Sequence, residues 1–551
     1  MKRSSDRIPD LSRIALSCLP YAAGQGREGI CLLLNLGPHR ILLDCGLASI
    51  STLEAGHSPP VDVAFCSHAH ADHARGLLWL NQAFPHLPIY ASEVTTRLLP
   101  LNWTGRSRRK IPRFCQPLPW RSPIQLFADL TAELFPAGHL PGAAAILLTY
   151  TTQERTYRVF YTGDFSLSNL QLVEGMSLEA LRGLAPDVLI VEGSCGTARH
   201  PHRRQQEKQL MARLDLALKA GQNVLLPVSP LGLGQEILKL LRSHHQFTGR
   251  DVDIWVADSV AIACDIYLEL LDRLPPAVQN FAKHQPLFWD ERVCPRLRRL
   301  APGKLPAVAS APYIVLAGES EDLERYTLSS AGRWLILVPE SDKSSFSNWK
   351  QLSHIESDTY LLSEHSDGRN TTQLIHNLRP QHVIFVHGSP AYLADLTSLE
   401  ELQSRYQLHS PAAGTLVELP IGEKFIQPAL PAPNTYEGEL NELAADVTVT
   451  LSEEITRDRR WSRFSDTGLV EARWQGEELV LRGLSQRELM RQTNKAKATG
   501  GWECCQECCH FKNQRCWHSA SPLYGFKVMP EGYCPVFEPL ESASRGKFDG
   551  G

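Results

Sequence analysis

The sequence predicts a layered α/β fold, and two patterns along its 551 residues support that fold class. Short apolar runs, including CLLLNLG, HRILLDCG, VDVAFC and DVLIVEG, alternate with turn residues, as buried strands do. Helix-like stretches at residues 72–84 and 205–219 follow several of these runs, so strands and helices are interleaved. A chain this long exceeds one hydrophobic core, and we expect about two to four domains.

A second α/β unit is predicted from about residue 201, where strand and helix alternate more regularly. NVLLPV and DIWVAD are typical of its strands, and LGQEILKLLRSH is typical of its helices. The Ala- and Pro-rich stretch IQPALPAPN predicts a linker. We predict six segments: a first domain in two parts (1–200 and 345–425), an inserted unit (201–344), a linker (426–440), a small strand-rich module (441–500) and a cysteine-rich tail (501–551).

Charge and cysteine usage limit the class of protein. Lys and Arg number 56 against 60 Asp and Glu, so any site for a polyanion must be local. No signal-peptide core or uncharged membrane span is present in the sequence, which predicts a cytoplasmic chain without a membrane partner. Six of the 14 cysteines lie between Cys504 and Cys534, which in a reducing compartment indicates a metal site and not disulfides.

One histidine-rich motif carries most of the chemical information. The segment SHAHADH contains His68, His70, Asp72 and His73 and follows directly after a predicted buried strand. Two histidines separated by one residue can reach the same metal ion, and the adjacent Asp-His pair can reach a second. Sites in α/β proteins commonly lie at such strand ends. The motif therefore predicts a metal centre with two ions.

This H-x-H-x-D-H motif resembles the signature of the metallo-β-lactamase superfamily, whose remaining positions follow in order. They are Asp44 in ILLDCG, His139 in PAGHLPG, Asp164 in YTGDF and His387 in FVHG. The resemblance implies a four-layer αββα metallo-β-lactamase sandwich.

The resemblance also implies roles for these residues around two zinc ions. It assigns the first ion to His68, His70 and His139, the second to Asp72, His73 and His387, and the bridge between them to Asp164. Asp44 would orient a histidine ligand from behind.

The long gap before the last of these ligands narrows the resemblance. His387 follows Asp164 by 223 residues, with an α/β segment between them, an arrangement similar to that of the β-CASP nucleases. That family includes ribonuclease J and the cleavage subunit of the pre-mRNA 3′-end machinery. The stretch EHSDGRNTTQLIHNLRPQHVIFVHG resembles the pre-mRNA cleavage branch most, in spacing as well as in residue identity. The resemblance assigns the family's acidic motif to Glu192 and its general acid to His365, which Glu192 would orient.

The sequence differs from the β-CASP pattern at four places, and none of them is a predicted metal ligand. Leu233 replaces a usual arginine, Ser194-Cys195 replaces a usual Thr-Tyr, a Gly-Met element is degraded near residues 316–319, and Glu364 stands where small residues are common. All four concern contacts of the inserted β-CASP cassette or the position next to His365. We therefore expect hydrolysis to be retained.

The resemblance implies a two-zinc hydrolase that cuts single-stranded RNA in endo or exo mode. Two zinc ions about 3.5–4 Å apart would acidify a shared water and stabilise the oxygens of an in-line displacement. Three alternatives remain open: a DNA-processing β-CASP nuclease, a catalytically silent RNA-binding scaffold, and a small-ester or thioester hydrolase. The oligomeric state is left open as well.

Three basic runs, at residues 106–110, 199–204 and 296–299, are candidate phosphate contacts. The middle run directly follows the segment of Glu192, so it is the one expected near the metals.

The tail predicts a further metal site. Its thiolates at Cys505, Cys508, Cys516 and Cys534 are enough for a closed tetrahedral site, although Cys504 and Cys509 duplicate the first pair. Either a zinc ion or an iron-sulfur cluster would satisfy this ligand set.

Overall fold

The structure is a computed structural model that describes residues 16–25, 28–54, 58–103, 111–301, 303–306, 311–328, 332–341 and 354–422, together with four strands between residues 439 and 483 and most of residues 505–530. The chain divides into two compact units, Met1–Lys424 and Phe425–Gly551. Within the described ranges, no helix is both long and apolar enough to span a bilayer.

The first part of the chain is dominated by strands. Its elements are β1 (Leu16–Ala23), β2 (Ile30–Leu36), β3 (His39–Leu43), β4 (Val63–Phe65), α1 (Ala71–Ala74), α2 (Leu77–Ala83), β5 (Ile89–Ser92), α3 (Glu93–Leu98), a 3₁₀ turn (Leu99–Trp103), β6 (Cys115–Leu118), β7 (Ile124–Phe127), β8 (Leu130–Pro136), β9 (Ala144–Thr151), β10 (Thr156–Tyr161), α4 (Leu178–Leu181) and β11 (Val188–Glu192).

Helices and strands alternate in the rest of the first unit. The elements are α5 (Arg203–Lys219), β12 (Gln222–Val228), α6 (Leu233–Ser243), β13 (Asp253–Val256), α7 (Asp258–Glu269), a 3₁₀ turn (Leu271–Arg273), α8 (Pro276–His284), β14 (Arg296–Arg299), β15 (Ile314–Gly318), α9 (Glu324–Leu328), β16 (Arg333–Pro339), β17 (Ile355–Tyr360), α10 (Gly368–Leu378), β18 (His382–Val386), α11 (Pro390–Thr397), α12 (Glu400–Gln403), β19 (Gln407–His409) and β20 (Val417–Glu418).

Two seven-stranded sheets pack face to face and form the predicted αββα sandwich. Their strand orders are β20-β1-β2-β3-β4-β5-β6 and β19-β18-β11-β10-β9-β8-β7. Alternate residues of β3 divide between two cores: Ile41 and Leu43 point into the layer between the sheets, and Leu42 points into the outer layer under the helices. Strands that are apolar on both faces require a cover on each side. The outer cover includes α3, which contacts β5 and β6, and α11, which contacts β18.

The inserted unit is a six-stranded, wholly parallel sheet in the order β14-β13-β15-β12-β16-β17. It lies in sequence between β11 and β18, which are neighbours in the sandwich. Its last strand, β17, pairs with β16, so this sheet extends past residue 344, where the sequence analysis placed the end of the inserted unit. β17 ends at Tyr360, and His365 lies in the loop that follows it.

Three adjacent parallel strands bring the predicted site residues Asp164, Glu192 and His387 to one edge of the sandwich. In the register of β10, β11 and β18, Tyr161 pairs with Ile190 and Glu192 pairs with Val386. The segments that follow these strands therefore leave the sheet side by side, as expected at the carboxyl ends of parallel strands. Asp164, Glu192 and His387 all lie at this edge.

The second unit is described in pieces. Its strands form three antiparallel pairs, β21 (Glu439–Leu443) with β22 (Asp446–Thr450), β23 (Val470–Gln475) with β24 (Glu478–Gly483), and β25 (Phe511–Lys512) with β26 (Arg515–Cys516), and a 3₁₀ turn spans Cys505–Glu507. Cys505, Cys508 and Cys516 are buried. Cys534 and most of the predicted linker lie outside the described residues.

Candidate metal centre

Three imidazole rings form the centre of the site. His68 follows β4, His70 is the residue before α1, and His139 lies in the loop after β8. Each pair of ring centroids is separated by 4.9 Å, so the rings form a nearly equilateral triangle. His68 and His139 are fully buried. The structure thus brings together the three histidines that the sequence analysis assigned to one metal ion.

Asp164 lies between the two predicted ligand sets. Its Oδ2 is 3.5 Å from Nε2 of His68 and 3.8 Å from Nε2 of His139. Its Oδ1 is 3.3 Å from Nε2 of His73 and 3.3 Å from Nδ1 of His387. One carboxylate therefore faces histidines of both sets, which is the placement that a bridging ligand requires.

The second predicted set is also assembled. Nε2 of His387 lies 3.0 Å from Oδ2 of Asp72, and the rings of His73 and His387 are 5.0 Å apart. Two glycines leave room for the turn that carries Asp72: an added Cβ would lie 1.9 Å from the Asp72 main-chain oxygen at Gly29 and 1.7 Å at Gly46. Any larger residue at either position would displace that turn.

The donor set fits a divalent metal. Among the described residues, His68 Nε2, His73 Nε2 and Asp164 Oδ1 are buried without a hydrogen-bond partner. Buried polar atoms are rarely left unsatisfied, and a divalent cation bound among these three would satisfy all of them. The ligand atoms of His68, His70, His139 and Asp164 lie within 4.8 Å of one another, as do those of Asp72, His73 and His387.

Burial keeps part of the triangle in the neutral form that metals bind. Burial and the neighbouring His365 and His70 lower the pKa of His139 to about 3. Burial also lowers the pKa of His68 well below its ordinary value, helped by His73. Neutral imidazole is the ligand form of histidine, so these rings need lose no proton near neutral pH.

Asp44 orients His73 from behind the site. Its carboxylate accepts hydrogen bonds from Ser67 N (2.6 Å), Ser67 Oγ (2.7 Å), Tyr161 OH (2.6 Å) and His73 Nδ1 (2.8 Å). A proton on Nδ1 of His73 leaves its Nε2 as the lone-pair nitrogen that faces Asp164. Asp44 (φ 59°) and His387 (φ 54°) both occupy the left-handed region directly after a strand, a strain that persists where surrounding contacts fix the backbone.

Two main-chain carbonyls orient the other rings. Nε2 of His70 donates to the Leu231 oxygen at 3.0 Å, and Nδ1 of His139 donates to the Glu364 oxygen at 3.0 Å. Nδ1 of His70 and Nε2 of His139 then face each other at 3.1 Å. Leu231 lies in the loop between β12 and α6. A loop of the inserted unit therefore sets the tautomer of a predicted metal ligand in the sandwich.

A second carboxylate–histidine pair lies beside the triangle. Nδ1 of His365 is 2.7 Å from Oε2 of Glu192, and the His365 ring is 4.7 Å from the ring of His139. Burial lowers the pKa of His365, but the Glu192 carboxylate outweighs it and raises that pKa to about 9. Glu192 is 2% exposed, whereas the His365 side chain is 27% exposed.

Ser194 connects this pair to the metal ligands, a role that the sequence analysis missed. Its hydroxyl hydrogen-bonds to Glu192 and lies 2.8 Å from Nδ1 of His387. The sequence signal at this position is the replacement of the family's usual Thr-Tyr by Ser194-Cys195. Ser194 retains the hydroxyl group of the usual threonine.

A cavity of about 1140 Å³ opens onto the site. Its walls include the predicted site residues His70, Asp72, His365 and His387. A smaller cavity of about 120 Å³ touches the loop of His365 and the start of α5. The larger volume is enough for nucleotide-sized groups beside the predicted metals.

The basic runs differ in their surroundings. In the middle run, Arg199 and His200 line the large cavity, while Arg203 is buried and contacts Glu236 at 3.3 Å. The run at 296–299 is engaged with acidic side chains: Arg296 and Arg298 both pair with Asp253, and Arg299 pairs with Asp265. Residues 106–110 lie outside the described residues.

Fold and site together define a metallo-hydrolase of the metallo-β-lactamase class. Residues 39–226 match the beta-lactamase superfamily domain, and residues 355–405 match the Zn-dependent metallo-hydrolase RNA specificity domain. The chain belongs to the β-CASP nuclease family of the metallo-β-lactamase superfamily.

Relatives extend over different shares of the chain. The uncharacterized protein sll0514 of Synechocystis sp. is 54% identical over 544 residues, 96% of this chain and 98% of that protein. Probable RNase MJ4 of Methanocaldococcus jannaschii is 29% identical over 39% of this chain and 54% of its own length. Cleavage and polyadenylation specificity factor 73 of Drosophila melanogaster is 23% identical over 69% of this chain and 61% of its own length. The chain thus spans little more than half of the latter two.

Proposed function

We propose that this protein is a two-zinc ribonuclease that hydrolyses phosphodiester bonds of single-stranded RNA. One observation carries the proposal: Asp164 lies within 3.8 Å of four histidines, two from each of the predicted ligand sets. The match to an RNA specificity domain and the similarity to a probable RNase and to a cleavage factor support RNA as the substrate.

Different residues of the chain have different roles in the proposed hydrolysis. Metal ions, which His68, His70, His139, Asp164, Asp72, His73 and His387 would hold, would supply an acidified water and stabilise negative charge on the phosphate. The new bond joins the water oxygen to phosphorus, and the bond from phosphorus to the leaving sugar oxygen breaks. His365 then donates a proton to that oxygen, and Glu192 holds the imidazolium in place through Nδ1. The proton released by the water returns the histidine to its charged form.

Cleavage of matched oligonucleotides tests the polymer and the metal together. We expect the purified protein to carry about two zinc ions per chain in this site and to cut end-labelled single-stranded RNA. Chelation should abolish cleavage, and added zinc should restore it. Cleavage of the matched DNA at an equal rate would favour the DNA-processing alternative. Full metal content without cleavage of either polymer would favour the RNA-binding scaffold.

A variant of the general acid tests the mechanism. His365→Ala should keep its metal but lose roughly a hundredfold or more in cleavage rate, the usual contribution of a positioned proton donor. His376→Ala is a matched control, because His376 is also partly buried and its side chain hydrogen-bonds to Tyr406 at 2.9 Å, away from the site. Loss of metal along with activity in His365→Ala would make His365 a ligand and contradict the assignment.

We also propose that the cysteine-rich tail holds one further zinc ion or an iron-sulfur cluster. Burial of Cys505, Cys508 and Cys516 supports a compact site around them. Full-length protein should lose one metal equivalent on Cys505→Ser with Cys508→Ser, and absorption near 400 nm would identify a cluster. Unchanged metal content in that double variant would contradict the tail site.

A further inference from the structure

Glu364 is a buried carboxyl group that the proposed mechanism does not use. It lies in the loop between β17 and α10, directly before His365, and is 9% exposed. It lines the large cavity together with His70 and His365. An added Cβ at Gly232 would lie 2.9 Å from its Oε1, so the neighbouring glycine makes room for this carboxyl group.

The carboxyl group lacks a partner in the part of the chain that the structure describes. Its Oε1 is fully buried without a hydrogen bond, and Arg203 pairs with Glu236 instead. Glu364 also belongs to none of the described clusters that could hold a metal. A buried carboxyl group without a partner is costly. The Glu364 side chain lines the wall of the large cavity, so a polar group bound there would supply the missing partner once the carboxyl group turned toward it.

We infer that Glu364 forms a hydrogen bond with the ribose 2′-hydroxyl of the nucleotide whose 3′-oxygen leaves, and that this contact selects RNA over DNA. The inference rests on the proposed ribonuclease function. We take the leaving sugar oxygen that His365 protonates to be the ribose 3′-oxygen, and the 2′-hydroxyl is on the neighbouring carbon of the same ribose. A residue adjacent to His365 and open to the same cavity is therefore placed to meet that hydroxyl.

The chemistry of the two groups agrees. A carboxyl oxygen accepts a hydrogen bond from a hydroxyl, and acidic side chains are common partners of ribose hydroxyls. The 2′-hydroxyl is the group that distinguishes RNA from DNA at a given position.

Single-atom changes in the substrate test the inference. A short RNA with one preferred cleavage site is compared with two versions, carrying a single 2′-deoxy substitution on the nucleotide before or after the scissile phosphate. The wild-type chain is compared with Glu364→Gln, which keeps an acceptor oxygen, and Glu364→Met, which keeps the length but removes both oxygens. The ratio of kcat/KM for two substrates does not depend on the fraction of folded enzyme, so a partly unstable variant remains informative.

We expect the 2′-deoxy substitution before the scissile phosphate to slow wild-type cleavage roughly 10- to 100-fold. Glu364→Met should be slow on both substrates and reduce that ratio to near one, while Glu364→Gln should keep most of it. The substitution after the phosphate should have the same small effect on all three proteins. An unchanged ratio in Glu364→Met, or sensitivity on the other nucleotide, would overturn the inference. Absence of RNA cleavage by the wild-type protein would instead overturn the proposed function.

Discussion

Two carboxylate–histidine pairs in this molecule have almost the same geometry and opposite surroundings. Asp44 contacts His73 at 2.8 Å, and Glu192 contacts His365 at 2.7 Å, each through Nδ1. The ring of His73 is sealed, with 1% of its side chain exposed, and its Nε2 faces Asp164. The ring of His365 is 27% exposed and lines both cavities.

This difference shows that the role of such a pair depends on what the second ring nitrogen meets. A nitrogen that faces other ligand atoms in a closed pocket is suited to hold a metal. A nitrogen that faces a substrate cavity is suited to move a proton. The carboxylate performs the same orienting task in both cases.

The largest effect is expected from removing the enclosed ring. His73→Ala deletes a predicted ligand and the hydrogen-bond donor to Asp44. Loss of a metal that supplies several kcal/mol of charge stabilisation corresponds to roughly a thousandfold or more in rate. Metal analysis and single-turnover cleavage should both show the loss. Full zinc content and unchanged cleavage in this variant would contradict the assignment of His73 as a metal ligand and, with it, the difference in role between the two pairs.

A subtler change tests the orienting carboxylate of the same pair. Asn tolerates the positive φ of residue 44, so Asp44→Asn should leave the backbone in place. The amide cannot accept all four hydrogen bonds, and we expect metal affinity to fall about 10- to 100-fold, the usual effect of losing a partner behind a ligand. Titration against a zinc buffer measures this, and excess zinc should restore the activity. Failure of excess zinc to restore activity would indicate a role beyond orientation.

The corresponding change in the second pair should alter the pH profile and not the metal content. Glu192 raises the pKa of His365 to about 9, so the acid stays protonated at pH 8. In Glu192→Gln the carboxylate no longer offsets burial, so the pKa of His365 should fall to the ordinary value of about 6.5 or below, and fewer molecules then carry the proton at pH 8. We expect cleavage to fall roughly tenfold or more at pH 8 and by a smaller factor at pH 6. Equal losses at both values would contradict this account.

The smallest effect is expected from a pair without a carboxylate. His382 Nδ1 and His409 Nε2 lie 3.0 Å apart, and burial lowers the pKa of both. A histidine with a lowered pKa in the folded state stabilises the fold fully above about pH 6.5, and this contribution is lost as pH falls below that value. His382→Gln should therefore reduce the drop in Tm between pH 7.5 and 5.5 by roughly 2 °C. An identical drop in both proteins would show that this pair does not titrate on unfolding.

The sequence was sufficient for features that depend on residue type and order. The seven predicted metal ligands were identified by the resemblance to the metallo-β-lactamase signature. They lie together because each follows a strand or begins a helix at one edge of the sandwich. The alternating apolar runs predicted only a layered α/β fold; the αββα sandwich followed from the resemblance, and the fold class is confirmed. The basic run at 296–299 illustrates the limit, because two of its acidic partners, Asp253 and Asp265, are 34 to 45 residues away in sequence.

Contacts made by the main chain were beyond the reach of sequence. The carbonyls of Leu231 and Glu364 orient His70 and His139 across 161 and 225 residues. Every residue has a carbonyl group, so residue type carries no signal for such a contact. The extent of the inserted sheet was missed for a related reason: β17 has charged residues on its exposed face and resembles a loop.

The carbonyl of Leu231 has a thermodynamic consequence. It belongs to the inserted unit, and the ring it holds belongs to the sandwich. Metal binding that requires this ring orientation must favour the docked position of the β12–α6 loop, and by linkage the docked loop must strengthen metal binding by the same factor. Stripping the metal is therefore expected to speed amide hydrogen exchange at residues 229–233, and unchanged exchange would show the two events to be independent. Faster exchange after metal removal would mean that the inserted unit regulates hydrolysis through metal occupancy as well as through contact with the substrate.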